Sequence, residues 1–294
     1  MFLSVVIKNS NTNKKFPLFH LAVPTTRPTR NRTPRPTRNR TPIPKVVPTI
    51  GGHDKWIMKE DQLNLIFLDN LSKDSMWRDA LNYSFKNWSN PHLLPNILTM
   101  RLYPMSTNLD QDCPPIPDKI VVCDDDYGST KWKGVNLMYL NEDTRIVASL
   151  VKFNNFYGHD MDAEEKLYTC CHELGHGIGL RHWDEDFANQ DMYNCMDYTN
   201  NHANNMFPDQ SNFQALRNMY KGVSRRNLKA VGTTMDKEKE RLLRRDLDKY
   251  LSQSIDLNSI DLEVWKVVET SDHDEVYQRR LDNGYSIRAS FLLA

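Results

Sequence analysis

The run His172-Glu173-Leu174-Gly175-His176-Gly177-Ile178-Gly179-Leu180-Arg181-His182 constrains this chain more than any other part of it. Leu167, Cys171, Leu174 and Ile178 recur at helical spacing and form one apolar face. Asp162, with Glu165 three residues on, has the capping-box pattern of a helix start, and Gly177 and Gly179 supply places to stop and turn. On such a helix, residues four apart stand one above the other. His172 and His176 therefore present two imidazoles to a single point, on a side expected to be accessible. Glu173 is rotated by one residue, so it reaches water at that point more easily than the ion itself. A straight helix would carry residue 182 away. Gly179 has no Cβ, so it can take a positive φ, reverse the chain and return His182 as a third ligand. Three neutral nitrogens leave the fourth position of a zinc ion open, the mark of a catalytic rather than a structural site. A bare HExxH arises by chance, but the added glycine and third histidine make coincidence a poor explanation. His20, His159 and His202 have no such partners, and surface or core roles are expected for them.

Downstream lies Cys195-Met196-Asp197-Tyr198. Together with this turn, the histidine run resembles the metzincin zinc peptidases, whose pattern is HExxHxxGxxH followed by a methionine-containing turn. The resemblance implies a zinc-dependent metalloendopeptidase acting on polypeptides, with His172, His176 and His182 as metal ligands and Glu173 as catalytic base. It places Met196 as an apolar floor beneath the imidazoles. Tyr198 stands where astacin- and serralysin-like members carry a tyrosine, and a phenol there would stabilise developing negative charge. The resemblance spans residues 56–220. The strands at Gly134-Val135-Asn136 and Ile146–Phe153 and the helix from Asp209 to Tyr220 look like the matrixin-like branch, which also tends to carry a cysteine before the turn methionine. Two departures stand out: Trp183 follows the last ligand, and no PRCGxPD-like cysteine switch occurs in the head. Substrate is expected to lie extended against an edge strand, for which Ile146–Phe153 is the candidate. Zn2+ is the implied cofactor; calcium is admissible, but no specific motif supports it. The competing reading is a catalytically inactive protein of the same fold that binds zinc or partners, against which the intact Glu173 argues.

The expected fold class is α+β, a mixed twisted sheet with the active-site helix and Met-turn, followed by a small C-terminal helix and strand extension. Leu63–Leu68, Ile97–Tyr103, Lys119–Cys123, Val135–Tyr139 and Ile146–Phe153 read as strands. In the last, Ile146, Ala148, Leu150 and Lys152 alternate against Val147, Ser149, Val151 and Phe153. Residues 75–88 read as a helix with Met76, Ala80, Tyr83 and Trp88 on one side. Phe213 to Tyr220 reads as a short helix, Met235 to Leu251 as a charged one, and Val264 to Leu293 as three strands around turns at Asp272–Asp274 and Asp282–Gly284. The expected division is a head at 1–50, a catalytic domain at 54–222 and an extension at 223–294.

The formal charge is zero, with 38 basic and 38 acidic residues. Ten of the basic residues and none of the acids fall in residues 1–50, which leaves the rest at a net −10. Residues 27–42 are the octapeptide RPTRNRTP twice over. Its prolines and mutually repelling arginines cannot build a core, so the head is expected to be a disordered, charged spacer. No aromatic residue interleaves these arginines to stack a base, and the acidic body would repel phosphate. Nucleic acid is therefore disfavoured as a partner. No stretch approaches the ~20 apolar residues of a membrane span. The sequence does not indicate an oligomeric state. The N-terminus has no clear secretory signal, yet five cysteines invite pairing. Cys195 is expected to reach Cys171 rather than Cys170, and Cys113 to pair with Cys123. All five reduced is the alternative. Bridges would place the chain outside the cell or in the secretory pathway.

Overall fold

The computed structural model describes residues 54–57, 62–105, 113–183, 189–221, 265–270, 274–281 and 285–293. The arginine-rich head, the charged stretch read as a helix over 235–251 and the turn positions 271–273 and 282–284 lie outside the described residues. Along the chain come β1 (Lys55–Trp56), β2 (Leu63–Asn70), α1 (Arg78–Trp88), β3 (Leu98–Pro104), β4 (Lys119–Asp125), β5 (Trp132–Leu140) and β6 (Arg145–Asn154). They are followed by α2 (Asn155–Gly158), α3 (Ala163–Ile178), a 3-10 turn at His202–Asn204, α4 (Gln210–Tyr220), β7 (Lys266–Thr270), β8 (Asp274–Arg280) and β9 (Ser286–Leu293). The described residues are thus mixed α+β, with four helices and one open sheet in the order β3-β2-β4-β6-β5-β9-β8-β7, and β1 beside the start of β6.

The half of the sheet from β3 to β6 is parallel, and β5, β9, β8 and β7 continue it antiparallel. The C-terminal strands therefore prolong the same sheet. β6 lies in the interior, between β4 and β5, and cannot offer a free edge to a substrate. This overturns the expectation placed on Ile146–Phe153. Strands buried on both faces read as continuous apolar runs, and the sequence of β6 gave no sign of an edge.

Alternation along β6 also departs from the simple pattern. Tyr139 of β5 stands opposite Ala148 and Leu140 opposite Ile146, so Val147 is an inserted bulge residue. Ile146 consequently joins the helix-side core with Val151 and Phe153, while Val147, Ala148 and Leu150 join the core of the opposite face. On α1 the buried side is Ala80, Leu81, Ser84 and Trp88, whereas Tyr83 is exposed. The polar Ser84 hides the true stripe from a count of apolar residues: it sits on the buried side, four residues from Ala80 and from Trp88. There its hydroxyl donates to the Leu167 carbonyl at 3.4 Å.

Helix α3 lies on the sheet behind α1. It is buried all round from Tyr168 to Ile178, beyond the single apolar face expected of it. Asp162 caps its start by accepting from the Glu165 backbone N–H at 2.8 Å, while the Glu165 carboxylate turns to Lys133 of β5 at 2.9 Å. At its other end, the carbonyls of Gly177 and Ile178 have no partner in the helix. They accept from the Trp56 indole at 2.9 Å and the Tyr220 hydroxyl at 3.1 Å.

Two disulfides fasten the described chain, Cys113–Cys123 and Cys171–Cys195, and Cys170 is left as a buried thiol. They are compatible with a secreted protein, and no helix among the described residues is long and apolar enough to cross a membrane. The second bridge joins α3 to the turn after Asn194 over a separation of 24 residues. In the chain-entropy picture it contributes about 3 kcal/mol. Replacing both partners (Cys171→Ala with Cys195→Ala) should lower the unfolding free energy by about that amount, read from the urea midpoint. An unchanged midpoint would show that the bridge does not constrain the unfolded chain.

Candidate metal centre

The site forms where α3 ends. Gly179 takes φ 106°, a left-handed value that suits glycine, and its N–H and that of Leu180 return to the carbonyls of His176 and Gly175 at 2.7 and 3.0 Å. A Cβ on Gly179 would stand 2.5 Å from the Asp54 carbonyl oxygen. The chain then doubles back, Arg181 reaches Asp54 at 3.9 Å, and the Trp183 N–H donates to the Met196 carbonyl at 2.9 Å. His182 is thereby held between the helix end and the turn that carries Met196.

The three histidines meet through their Nε2 atoms. The separations are 3.0 Å between His172 and His182, 3.0 Å between His172 and His176, and 2.8 Å between His176 and His182. The other ring nitrogens fix the tautomer. His172 Nδ1 donates to the Cys195 carbonyl at 2.7 Å, and His176 Nδ1 donates to the Leu180 carbonyl at 2.9 Å. Those bonds leave the Nε2 lone pairs of His172 and His176 facing the common point. Burial, then the nearby His176 and His182, hold the His172 pKa well below the ordinary imidazole value, so this ring is neutral at pH 7. Converging lone pairs repel one another unless a cation stands between them, and the set therefore fits a metal ion. A tetrahedral zinc about 2.0–2.1 Å from each nitrogen would set them about 3.3–3.4 Å apart, a spread of roughly half an ångström or less from the positions observed.

Around this group, Met196 is fully buried, and a Cβ on Gly175 would lie 2.3 Å from its Sδ, so the turn packs directly under α3. Asn194 shapes that turn, accepting from the Met196 N–H at 3.0 Å while its own N–H donates to Asn205 Oδ1 at 3.0 Å. The Tyr198 ring lies edge-on to His182 at 4.5 Å and to His172 at 5.7 Å. Its hydroxyl donates to the Phe291 carbonyl of β9 at 3.3 Å. Glu173 is fully buried against β5: a Cβ on Gly134 would come within 2.8 Å of its Cγ and 2.9 Å of its Oε1.

The structure thus brings together the residues singled out from the sequence: His172, His176, His182, Tyr198 and, from the next position on α3, Glu173. It differs on access. His172 is 0% and His176 2% exposed, so these two imidazoles do not face an open side, while His182 is partly exposed. His202, which the sequence left without a partner, lies tilted against the ring of Tyr168, the neighbour of His172, with centroids 5.0 Å apart. Gly134 and Asn194 were not anticipated. A glycine within a strand pattern is itself a sign of close approach by another group, and it could have flagged Gly134.

Gly179→Ala tests the turn. It should lower the unfolding free energy by about 1–3 kcal/mol, because the alanine must hold a left-handed φ against the Asp54 carbonyl. It should also weaken metal retention in dialysis against a chelator. A variant as stable and as metal-retentive as the parent would show that the reversal does not depend on this glycine.

A scan of the chain against protein-family models gives no match, and a search among curated proteins finds none either. The described residues form a mixed-sheet α+β protein whose His172, His176 and His182 could hold a metal ion.

Proposed function

We propose that this chain is a zinc-dependent endopeptidase of metzincin type. The observation that carries the reading is the convergence of His172, His176 and His182 Nε2 next to a buried Glu173, at the end of a helix that turns on Gly179 over Met196. The sequence pattern HExxHxxGxxH with a following methionine turn supports the same reading. Zinc is favoured over harder cations because all three donors are imidazoles, ligands poorly suited to calcium or magnesium.

When bound, the ion supplies a Lewis acid and lowers the pKa of water toward ~7. The chain's own residues do the remainder. Glu173 accepts the proton of the attacking water and hands it to the leaving amine. The backbone bonds at Nδ1 of His172 and His176 hold those two rings in the ligating tautomer. The Tyr198 hydroxyl already donates to a backbone carbonyl, and in this reading it serves the scissile carbonyl as negative charge grows there. The two disulfides suit a secreted enzyme.

Glu173→Gln should keep the zinc and lose the base. Cleavage of casein, measured on the intact chain and after limited proteolysis, should fall about 10²- to 10⁴-fold while metal content stays at one per chain. Equal cleavage by variant and parent would remove Glu173 from the chemistry. Absence of cleavage by a zinc-loaded parent in both forms would favour the inactive, binding-protein reading.

A further inference from the structure

We infer that the C-terminal strand β9 is an inhibitor in cis, lying in the lane along β5 that an extended polypeptide would otherwise take. This rests on the peptidase reading for the identity of the displaced ligand.

Of the strands in the sheet, β5 is the one whose Gly134 abuts Glu173, so its edge is where a backbone would pair to reach the histidines. That edge is taken. β9 runs antiparallel to β5 from Ser286 opposite Leu140 to Leu293 opposite Trp132. Its C-terminal end therefore arrives at Gly134, in the direction of a substrate segment that approaches the scissile bond from its N-terminal side. The mimicry extends to the chemistry, because the Tyr198 hydroxyl is engaged by the backbone carbonyl of Phe291, opposite Val135 and one position from Gly134. Leu292, the residue opposite Gly134, joins the helix-side cluster with Cys171, Met196 and Tyr198, while Ile287, Ala289 and Phe291 pack on the other face.

Arg288 binds the buried Asp54, and β9 is packed on both faces, so thermal opening is an inefficient way to free the lane. Release calls for scission of the chain ahead of β7 or for a competing strand.

The test measures binding apart from turnover. A recognition sequence for a specific protease is inserted after Lys221 in the Glu173→Gln chain, so that the protein folds whole. Affinity for fluorescently labelled casein is measured before cutting and after the C-terminal fragment is washed off. At least a tenfold gain in affinity is expected, reversed by a synthetic peptide of residues 285–293; unchanged affinity would overturn the proposal. A second variant keeps β9 in place by a bridge between facing positions, Leu137→Cys with Ala289→Cys. After cutting, its oxidised form should retain the fragment and keep the weak casein binding of the uncut chain, and a gain equal to that of the unbridged chain would also overturn the proposal. The same forms with Glu173 restored are assayed for hydrolysis. Gated binding without hydrolysis in any form would sink the peptidase reading and leave β9 as the gate of a polypeptide lane.

Discussion

Three imidazole nitrogens within 3.0 Å of one another are an unstable arrangement unless something holds them there and something positive satisfies them. Much of the fold around α3 can be understood as the holding. Two rings are pinned by Nδ1 bonds to backbone carbonyls. The third is returned by the left-handed turn at Gly179 and tied to the Met196 segment through Trp183. The Cys171–Cys195 bridge joins the helix and the turn next to the first ligand, and the sheet closes the site from the β5 side through Gly134. Each of these restraints acts on position rather than on charge, which is what a preformed metal site requires.

Local chemistry made the centre of this legible from the sequence. A histidine pair at i and i+4 can only converge on a helix, a glycine three residues on permits the reversal, and Asp162 does cap the start. The disulfide partners were also readable, because a turn that must lie under the helix brings Cys195 beside it.

What escaped was set by long-range pairing. The order of the strands decides that β6 is interior, and strand order is not written in local apolar patterns. The bulge at Val147 reversed the expected faces of Ile146 and Val147 through a pairing with β5 that one strand's alternation cannot reveal. The contact of Tyr198 with β9 was missed for a related reason: that strand lies far downstream, and its partner β5 is identified only by register. The polar Ser84 on the buried side of α1 hid the true stripe because its hydroxyl is satisfied by a helix carbonyl rather than by water.

The central claim is that His172, His176 and His182 form one zinc centre with an open fourth position. X-ray absorption at the zinc edge of the zinc-loaded full chain tests it most directly. One zinc per chain is expected, with three nitrogens and one light oxygen neighbour at about 2.0–2.1 Å and outer-shell features of imidazole rings. Failure to retain zinc, or a sulfur shell at about 2.3 Å showing that cysteine holds the ion, would contradict it.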